Sequence, residues 1–210
     1  VRAPVPPATV QRLPLYLRCL DDLPPERERV SSSDLAALAR VTAEKVRKDL
    51  SCLGSYGVRG VGYSVAELRA QIRRALGLTE EVPVVVVGAG NLGRALAGYR
   101  GFGESGFVIV GLFDSDPAAV GSQVGDLVVE PVGRLVDAAR TRGAVIGVIA
   151  TPAGAAQEVA DRFVASGIAS ILNFAPTVIQ VPEGVEVRRV DLATELQVLS
   201  YYLHREPGSD

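Results

Sequence analysis

The sequence has no methionine and no tryptophan, a single histidine, two cysteines and, against 20 arginines, only two lysines. Each shortage excludes something. The one histidine, His204, lies in a charged tail and reads as solvated, so an imidazole-based metal site or a proton relay built on histidine has no material. Cys19 and Cys52 cannot form a disulfide framework, have no histidine near them in sequence, and read as core residues of a reduced, cytosolic protein. The uncharged stretch Ala144–Gln157 is broken by Gly and Pro and falls short of the about 20 residues that span a bilayer. No signal-peptide pattern opens the chain. Val1 is not an initiator, so residues upstream of it are expected to be missing. What is present is ordinary: 210 residues, 48% hydrophobic and 22% charged, which excludes a disordered or collagen-like chain and leaves room for one large domain or two small ones.

The net charge of -2 conceals a division by sign. Residues 1 to 75 carry 13 Lys and Arg against 8 Asp and Glu, whereas the remainder carries 9 against 16. A basic N-terminal third points to a polyanionic partner, and an acidic remainder argues against nucleic acid wrapping the whole molecule. Both lysines, Lys45 and Lys48, fall in that third.

From Thr9 to Leu23 the apolar positions Val10, Leu13, Leu17 and Leu20 lie on one helical stripe, with Pro14 in the first turns. After a polar turn, Ser31 and Asp34 are spaced as a capping box. Thr42 can cap a third helix that runs to a stop at Gly54, with Val46, Leu50 and Leu53 inward and Lys45, Arg47, Lys48 and Ser51 on the flanks and outer face. Two short helices, the second basic, read as a helix-turn-helix whose recognition helix carries those four residues to phosphates and base edges. The stretch Gly54–Tyr63, with four glycines and two tyrosines around Arg59, suits a β-wing whose Arg59 tip lies along a minor groove. Ser64 and Glu67 then cap a fourth helix ending at Gly77. The expectation for residues 1–78 is a winged-helix DNA-binding domain.

From Val82 the period changes to a buried strand, followed at once by Gly88-Ala89-Gly90-Asn91-Leu92-Gly93 and a helix. This is the order in which a glycine turn brings backbone against a pyrophosphate. A second strand, Phe107 to Phe113, ends in Asp114, 21 residues past Gly93, near the spacing of the acid that binds a ribose 2′-hydroxyl. An acid without an adjacent Arg disfavours a 2′-phosphate, so NAD and NADH are preferred to their phosphorylated forms. Further strands are expected at Asp126–Val129, Ala144–Ala150, Ala169–Phe174 and Val185–Val190, with helices near Val132–Arg142 and Ala153–Ser166. That alternation specifies a doubly wound parallel sheet, a Rossmann domain over residues 79–190. Ligands bind beyond the carboxyl ends of such strands, which nominates Thr151 and Pro152 after the fourth strand and Asn173, Phe174 and Pro176 after the fifth. There Asn173 could meet a carboxamide, and an apolar wall would favour the neutral reduced ring over the cationic oxidised one.

The last segment, 191–210, spaces Leu192, Leu196, Leu199 and Leu203 by four, three and four, a sticky seam that either covers the chain's own sheet or crosses to a second subunit. About twenty residues after the Rossmann unit leave no substrate domain. A nucleotide pocket joined to a DNA reader, without acid–base machinery, is a sensor and not an enzyme.

Several stretches together resemble the Rex family of bacterial redox-sensing transcriptional repressors, over nearly the whole chain. They are R-L-P-L-Y-L-R at Arg12–Arg18, V-R-K-D-L-S at Val46–Ser51, G-S-Y-G-V-R-G-V-G-Y at Gly54–Tyr63 and G-A-G-N-L-G-R-A-L at Gly88–Leu96. To these add F-D-S-D-P at Phe113–Pro117, A-A-Q-E-V-A-D at Ala155–Asp161, N-F-A-P at Asn173–Pro176 and E-L-Q-V-L-S-Y-Y-L at Glu195–Leu203. The resemblance implies a homodimer that places winged-helix domains on operator DNA, exchanges its C-terminal helix and leaves DNA when NADH replaces NAD. Cys52 and Leu53 stand where the family usually has an aromatic pair, and Val58 where Lys or Thr is common. Two alternatives stay open: a small NAD-dependent oxidoreductase, and a CoA-binding regulator, which Asp114 opposes because a CoA 3′-phosphate would meet its carboxylate.

Overall fold

The computed structural model describes residues 5–54, 57, 58 and 61–203, and the chain divides into two compact units at Glu80/Glu81. In the first unit α1 (Pro7–Val10) and α2 (Leu13–Asp21) are followed by β1 (Arg29–Val30), α3 (Ser32–Ala39), α4 (Ala43–Cys52), β2 (Tyr63–Ser64) and α5 (Val65–Ala75). The single helix expected from Thr9 is thus two. Pro14 stands at the second position of α2, where its missing N–H costs nothing; a helix continuous from Thr9 would have needed that donor. The break also turns Val10 outward, 43% exposed, while Leu13, Leu17 and Leu20 stay inside and Thr9 and Tyr16 join them.

The expected caps are present. Ser31 Oγ accepts from Asp34 N in a reciprocal capping box, Thr42 Oγ1 accepts from Lys45 N, and Ser64 Oγ accepts from Glu67 N. Between α3 and α4 the chain reverses in three residues, with Arg40 at φ 52°. One core joins Leu20, Leu35, Val46, Leu50, Leu68 and Ile72. Among the described residues of the wing region Val58 and Gly62 bridge each other, and the antiparallel partner of β2 is β1, Val30 opposite Tyr63. The sequence pattern alone places residues 29 and 30 in the polar turn before Ser31.

The second unit runs β3 (Val82–Val87), α6 (Asn91–Ala97), α7 (Arg100–Glu104), β4 (Phe107–Asp114), β5 (Gln123–Val124), β6 (Leu127–Pro131), α8 (Leu135–Thr141), β7 (Ile146–Ile149), α9 (Ala153–Ser166), β8 (Ser170–Asn173), β9 (Glu186–Arg189) and α10 (Leu192–Leu203). A short 3-10 turn, Val132–Arg134, leads into α8. The sheet order is β5-β6-β4-β3-β7-β8-β9. All pairs are parallel except the two-residue β5, which closes one end antiparallel on β6. Numbering the parallel strands one to six gives 3-2-1-4-5-6, the Rossmann order, whose switch point lies between β3 and β7.

Helices α8 and α9 lie on one face, over Val85, Val87, Phe113 and Ile149. The opposite face, with Val84, Val86, Leu112 and Val148, packs against Leu96 and Ala97 of α6. On this α6 face an apolar groove of about 390 Å³ remains over Val84, Ile109, Ile146, Val148 and Leu172, whereas the helix-free connection from β8 to β9 packs Ile179 and Val181 on the other face. The last strand, β9, is the open edge and reads Glu186-Val187-Arg188-Arg189. Asp191 caps α10, accepting from the Ala193 and Thr194 amides and from Arg189; the contacts with Thr194, then Arg189, hold its carboxyl below the usual range. No side chain of α10 is buried.

Candidate nucleotide cleft and candidate nucleic-acid interface

In the second unit a cleft of about 240 Å³ opens at the carboxyl ends of β3, β4 and β7. It is lined by Gly88 and Gly90, Asp114, Thr151 and Pro152, and by Glu158 and Arg162 of α9. Five of the residues nominated from sequence therefore converge. The glycines divide the work. A Cβ on Gly93 would stand 1.6 Å from the Gly88 carbonyl oxygen, so only glycine lets α6 pack on the turn, whereas a Cβ on Gly90 would meet nothing within 4 Å. Open space at Gly90 is what a pyrophosphate requires. Ala89 is buried, and Asn91 and Leu92 lie exposed at the start of α6.

Asp114 does more than its spacing implied. Its Oδ2 accepts from Ala89 N at 2.5 Å and its Oδ1 from Asp116 N at 2.8 Å, so the carboxylate fastens the glycine turn to the end of β4. A carboxylate has about four acceptor sites, which leaves capacity for ribose hydroxyls. Thr151 Oγ1 is buried and without a hydrogen-bond partner. An orphaned hydroxyl in a cleft of this make-up fits a polar ligand group that would satisfy it. The residues present thus fit a dinucleotide.

The corner after β8 is placed differently. Asn173 is buried, its Nδ2 donates to Thr177 O and its Oδ1 accepts from Ala175 N, both at 2.9 Å. Both ends of its amide brace its own loop. Phe174 packs against the α6 face of the sheet and Pro176 is exposed; none of the three lines the cleft.

In the first unit Lys45, Arg47, Lys48 and Ser51 are all exposed on α4, while Val46, Leu50 and Leu53 are buried. Arg47 donates to Ser32 Oγ at 3.2 Å, tying the basic face to the first turn of α3, and Ser51 Oγ donates to Lys48 O. Arg59 lies outside the described residues. Arg29 of β1 reaches the wing, donating to the Val61 and Gly62 carbonyls.

Behind the cations sits a carboxylate that sequence reading passed over. Asp49, 1% exposed, accepts from Thr9 Oγ1 at 2.8 Å, from Arg12 Nε and Nη2 at 2.7 Å, and from Tyr16 OH at 2.8 Å. Burial works against its ionisation, but the bonds from Arg12, Tyr16 and Thr9 outweigh it and hold the carboxyl below the usual range. Burial and the adjacent carboxylate push the Tyr16 phenol up to about 12.

Residues 4–51 match the family model described as "Putative DNA-binding protein N-terminus", and residues 79–177 match the "CoA binding domain" model. The redox-sensing transcriptional repressor Rex of Streptomyces coelicolor is 56% identical over 98% of this chain and 80% of its own length; that of Carboxydothermus hydrogenoformans is 47% identical over 96% and 98%. The chain belongs to the Rex family. These relatives are named as transcriptional repressors. Among solved structures, the Rex-family repressor RSP in complex with beta-NAD+ and operator DNA superposes with a TM-score of 0.89 at 38% identity, covering 95% of this chain and 92% of RSP. RSP in complex with beta-NADH gives 0.84 at 37%, covering 96% and 95%.

Beside Asp49 and Arg29, sequence reading of this Rex-family chain missed Arg94. It braces the glycine turn by donating to Ala89 O and Ser122 Oγ, both at 2.7 Å. It also missed the Glu158–Arg162 pair at the cleft rim, 2.8 Å apart. The rim had a signal: Ala155, Glu158, Val159 and Arg162 form one helical stripe at spacings of three, four and seven.

The phenol of Tyr16 gives a pH prediction. Its pKa is higher folded than unfolded, so its contribution is complete below about pH 10, the unfolded value, and is lost as pH rises toward 12. Tyr16→Phe is expected to be less stable than the parent at pH 8. That gap should shrink by on the order of 2 kcal/mol between pH 10 and 12, read from urea denaturation at each pH. A gap constant with pH would show that the phenol does not titrate as assigned.

Proposed function

We propose that this chain is the subunit of a homodimeric repressor that reads the NADH/NAD balance in the cytoplasm. It binds inverted-repeat operator DNA through α4 and the wing and lets go when NADH enters the cleft. The observation that carries the reading is the pairing, in one chain of this family, of a glycine-turn cleft closed by Asp114 with a separate unit whose exposed helix bears both lysines. Gly88, Ala89, Gly90, Asn91, Leu92 and Gly93 would hold the pyrophosphate, Asp114 the adenosine ribose, and Thr151 and Pro152 the cofactor beyond the switch point. Lys45, Arg47, Lys48, Ser51 and Arg59 would meet DNA. Asn173, Phe174 and Pro176 would shape the nicotinamide end from behind, since the amide of Asn173 already braces that loop.

A CoA ligand is disfavoured because Asp114 and Glu158 both face the cleft, where a 3′-phosphate would need unpaired cations. Turnover is disfavoured because Asp114, Glu158 and Arg162 are the ionisable side chains of the lining, and each is engaged by backbone or partner. The dimer would form through α10, whose Leu192, Leu196, Leu199 and Leu203 are each at least 60% exposed in the single chain.

The test is operator binding titrated with NADH at fixed NAD and stated salt. Moving a dimer from 99:1 bound to 1:99 requires about ten-thousandfold tighter cofactor binding to the released state, about a hundredfold per site. By reciprocity DNA must weaken NADH binding by the same factor. Asp114→Ala should weaken both cofactors and stay on DNA at NADH levels that release the parent. Release of that variant on the parent's schedule would place the ribose elsewhere, and a complex indifferent to saturating NADH would end the sensor reading.

A further inference from the structure

The charges of α4 separate sharply by burial. Lys45, Arg47 and Lys48 are exposed, and Asp49, the next residue, is 1% exposed with four bonds onto its two oxygens. A carboxylate in that place is an expensive way to fill a core. Removing it from water costs several kcal/mol, and well-packed apolar residues of similar volume often do as well or better. What it supplies and a leucine cannot is direction. Val46, Leu50 and Leu53 give contacts that allow a helix to roll or slide, whereas hydrogen bonds weaken steeply off-line.

The donors to Asp49 come from three places: Thr9 in α1, Arg12 at the junction of α1 and α2, and Tyr16 in α2. The Arg12 contact is bidentate, which fixes the plane of the carboxylate as well as its distance. Together they fix how far α4 is rotated about its axis and where it stands along it. With side chains reaching about 5–6 Å from a helix axis, a roll of about 20° moves their outer atoms by about 2 Å. A phosphate contact tolerates that displacement, because a flexible cation can follow a charge. A bidentate bond to a base edge does not.

We propose that Asp49, held by Arg12, Tyr16 and Thr9, is a positioning residue that sets the rotation of the reading helix, so that operator discrimination depends on a carboxylate that touches no DNA. The proposal rests on α4 being the element that meets DNA. It separates two quantities that a purely structural role would leave joined: affinity for any duplex, which follows the cations, and preference for the operator, which follows their alignment.

The experiment uses the full chain, an operator duplex selected by the parent protein from a random-sequence pool, and a scrambled duplex of equal length. Binding is measured over a range of salt at a temperature where every variant is folded by circular dichroism. Tyr16→Phe and Thr9→Val each remove one donor and keep the Arg12 pair; Asp49→Asn keeps the shape and removes the charge. Tyr16→Phe and Asp49→Asn are expected to lower the operator-to-scrambled ratio by about tenfold or more, the scale of one misread base pair. Scrambled-duplex affinity, salt slope and NADH affinity should stay at parental values. Lys48→Ala runs beside them and should weaken both duplexes and reduce the salt slope by about one unit per lost contact. Folded Tyr16→Phe and Asp49→Asn with the parental ratio would overturn the clamp while leaving α4 as the reader. A Lys48→Ala protein with unchanged affinity and slope would overturn the reading beneath it. Should Asp49→Asn fail to fold, Tyr16→Phe and Thr9→Val decide the matter.

Discussion

Gly93→Ala is expected to abolish NADH binding and to destabilise the second unit by several kcal/mol, the range in which overpacking against immovable atoms falls. The added Cβ would lie 1.6 Å from the Gly88 oxygen and 2.8 Å from its carbon, both backbone, so no rotamer can relieve the clash. Gly88 cannot yield either. It sits at φ +103°, its own absent Cβ facing the Ala150 oxygen at 2.5 Å, and the turn is therefore wedged between α6 and the end of β7. Gly90→Ala is the matched control, since its Cβ meets nothing within 4 Å. It should melt within a few degrees of the parent yet lose at least about tenfold in NADH affinity, because the methyl occupies the space the pyrophosphate needs. Thermal melts and NADH fluorescence titrations of the two variants check both statements. A Gly93→Ala protein that binds NADH as the parent does would mean that the helix can shift, and the account of the turn would fail.

Ending the chain at Asp191 is expected to turn dimers into monomers and to remove operator binding. An isolated helix of twelve residues is marginal in water, and α10 buries none of its side chains within the chain. Its persistence requires a surface from outside, and two-fold symmetry makes a second copy the natural one. A two-fold dimer presents its readers to half-sites about one helical turn apart or a multiple of it, so losing the helix costs DNA affinity out of proportion to its distance from α4 in sequence. Because the truncated chain exposes new surface and could precipitate, Leu199→Glu is the second variant; a single buried charge on the seam should have the same effect on assembly. Sedimentation at equilibrium reads both. Intact dimers in the truncated protein and in Leu199→Glu would remove α10 from the interface.

What could be read in advance follows from how local each signal is. The capping box at Ser31, the helix cap at Ser64, the glycine turn and the acid at Asp114 are written within a few residues or at a spacing that the strand–helix–strand unit imposes. Asp49 was not legible: in a run of Lys, Arg and Glu it has the look of a solvated charge. The residues that make it otherwise, Thr9, Arg12 and Tyr16, lie 33 to 40 positions away. The expected stripe through Val10 assumed one helix, and a single proline shifted the register of everything before it. Asn173 was nominated because it follows a strand at the ligand-binding end. Nothing in the sequence reveals that its amide is also bonded to Ala175 and Thr177 in its own turn.

The two ends of the sheet bear on how the protein behaves when crowded. At one end β5 is two residues long, too short to template a further strand. At the other, three of the four residues of β9 carry charge, so a second copy laid along that edge would bring ionised side chains together where water is being expelled. Natural sheets are blunted in these ways against edge-to-edge growth. Association along the sheet is thereby discouraged while association through an apolar helix remains open. A chain that pairs through α10, as proposed above, would in this way be kept from finding many copies at once, and overexpression should yield discrete oligomers in place of fibrous aggregate.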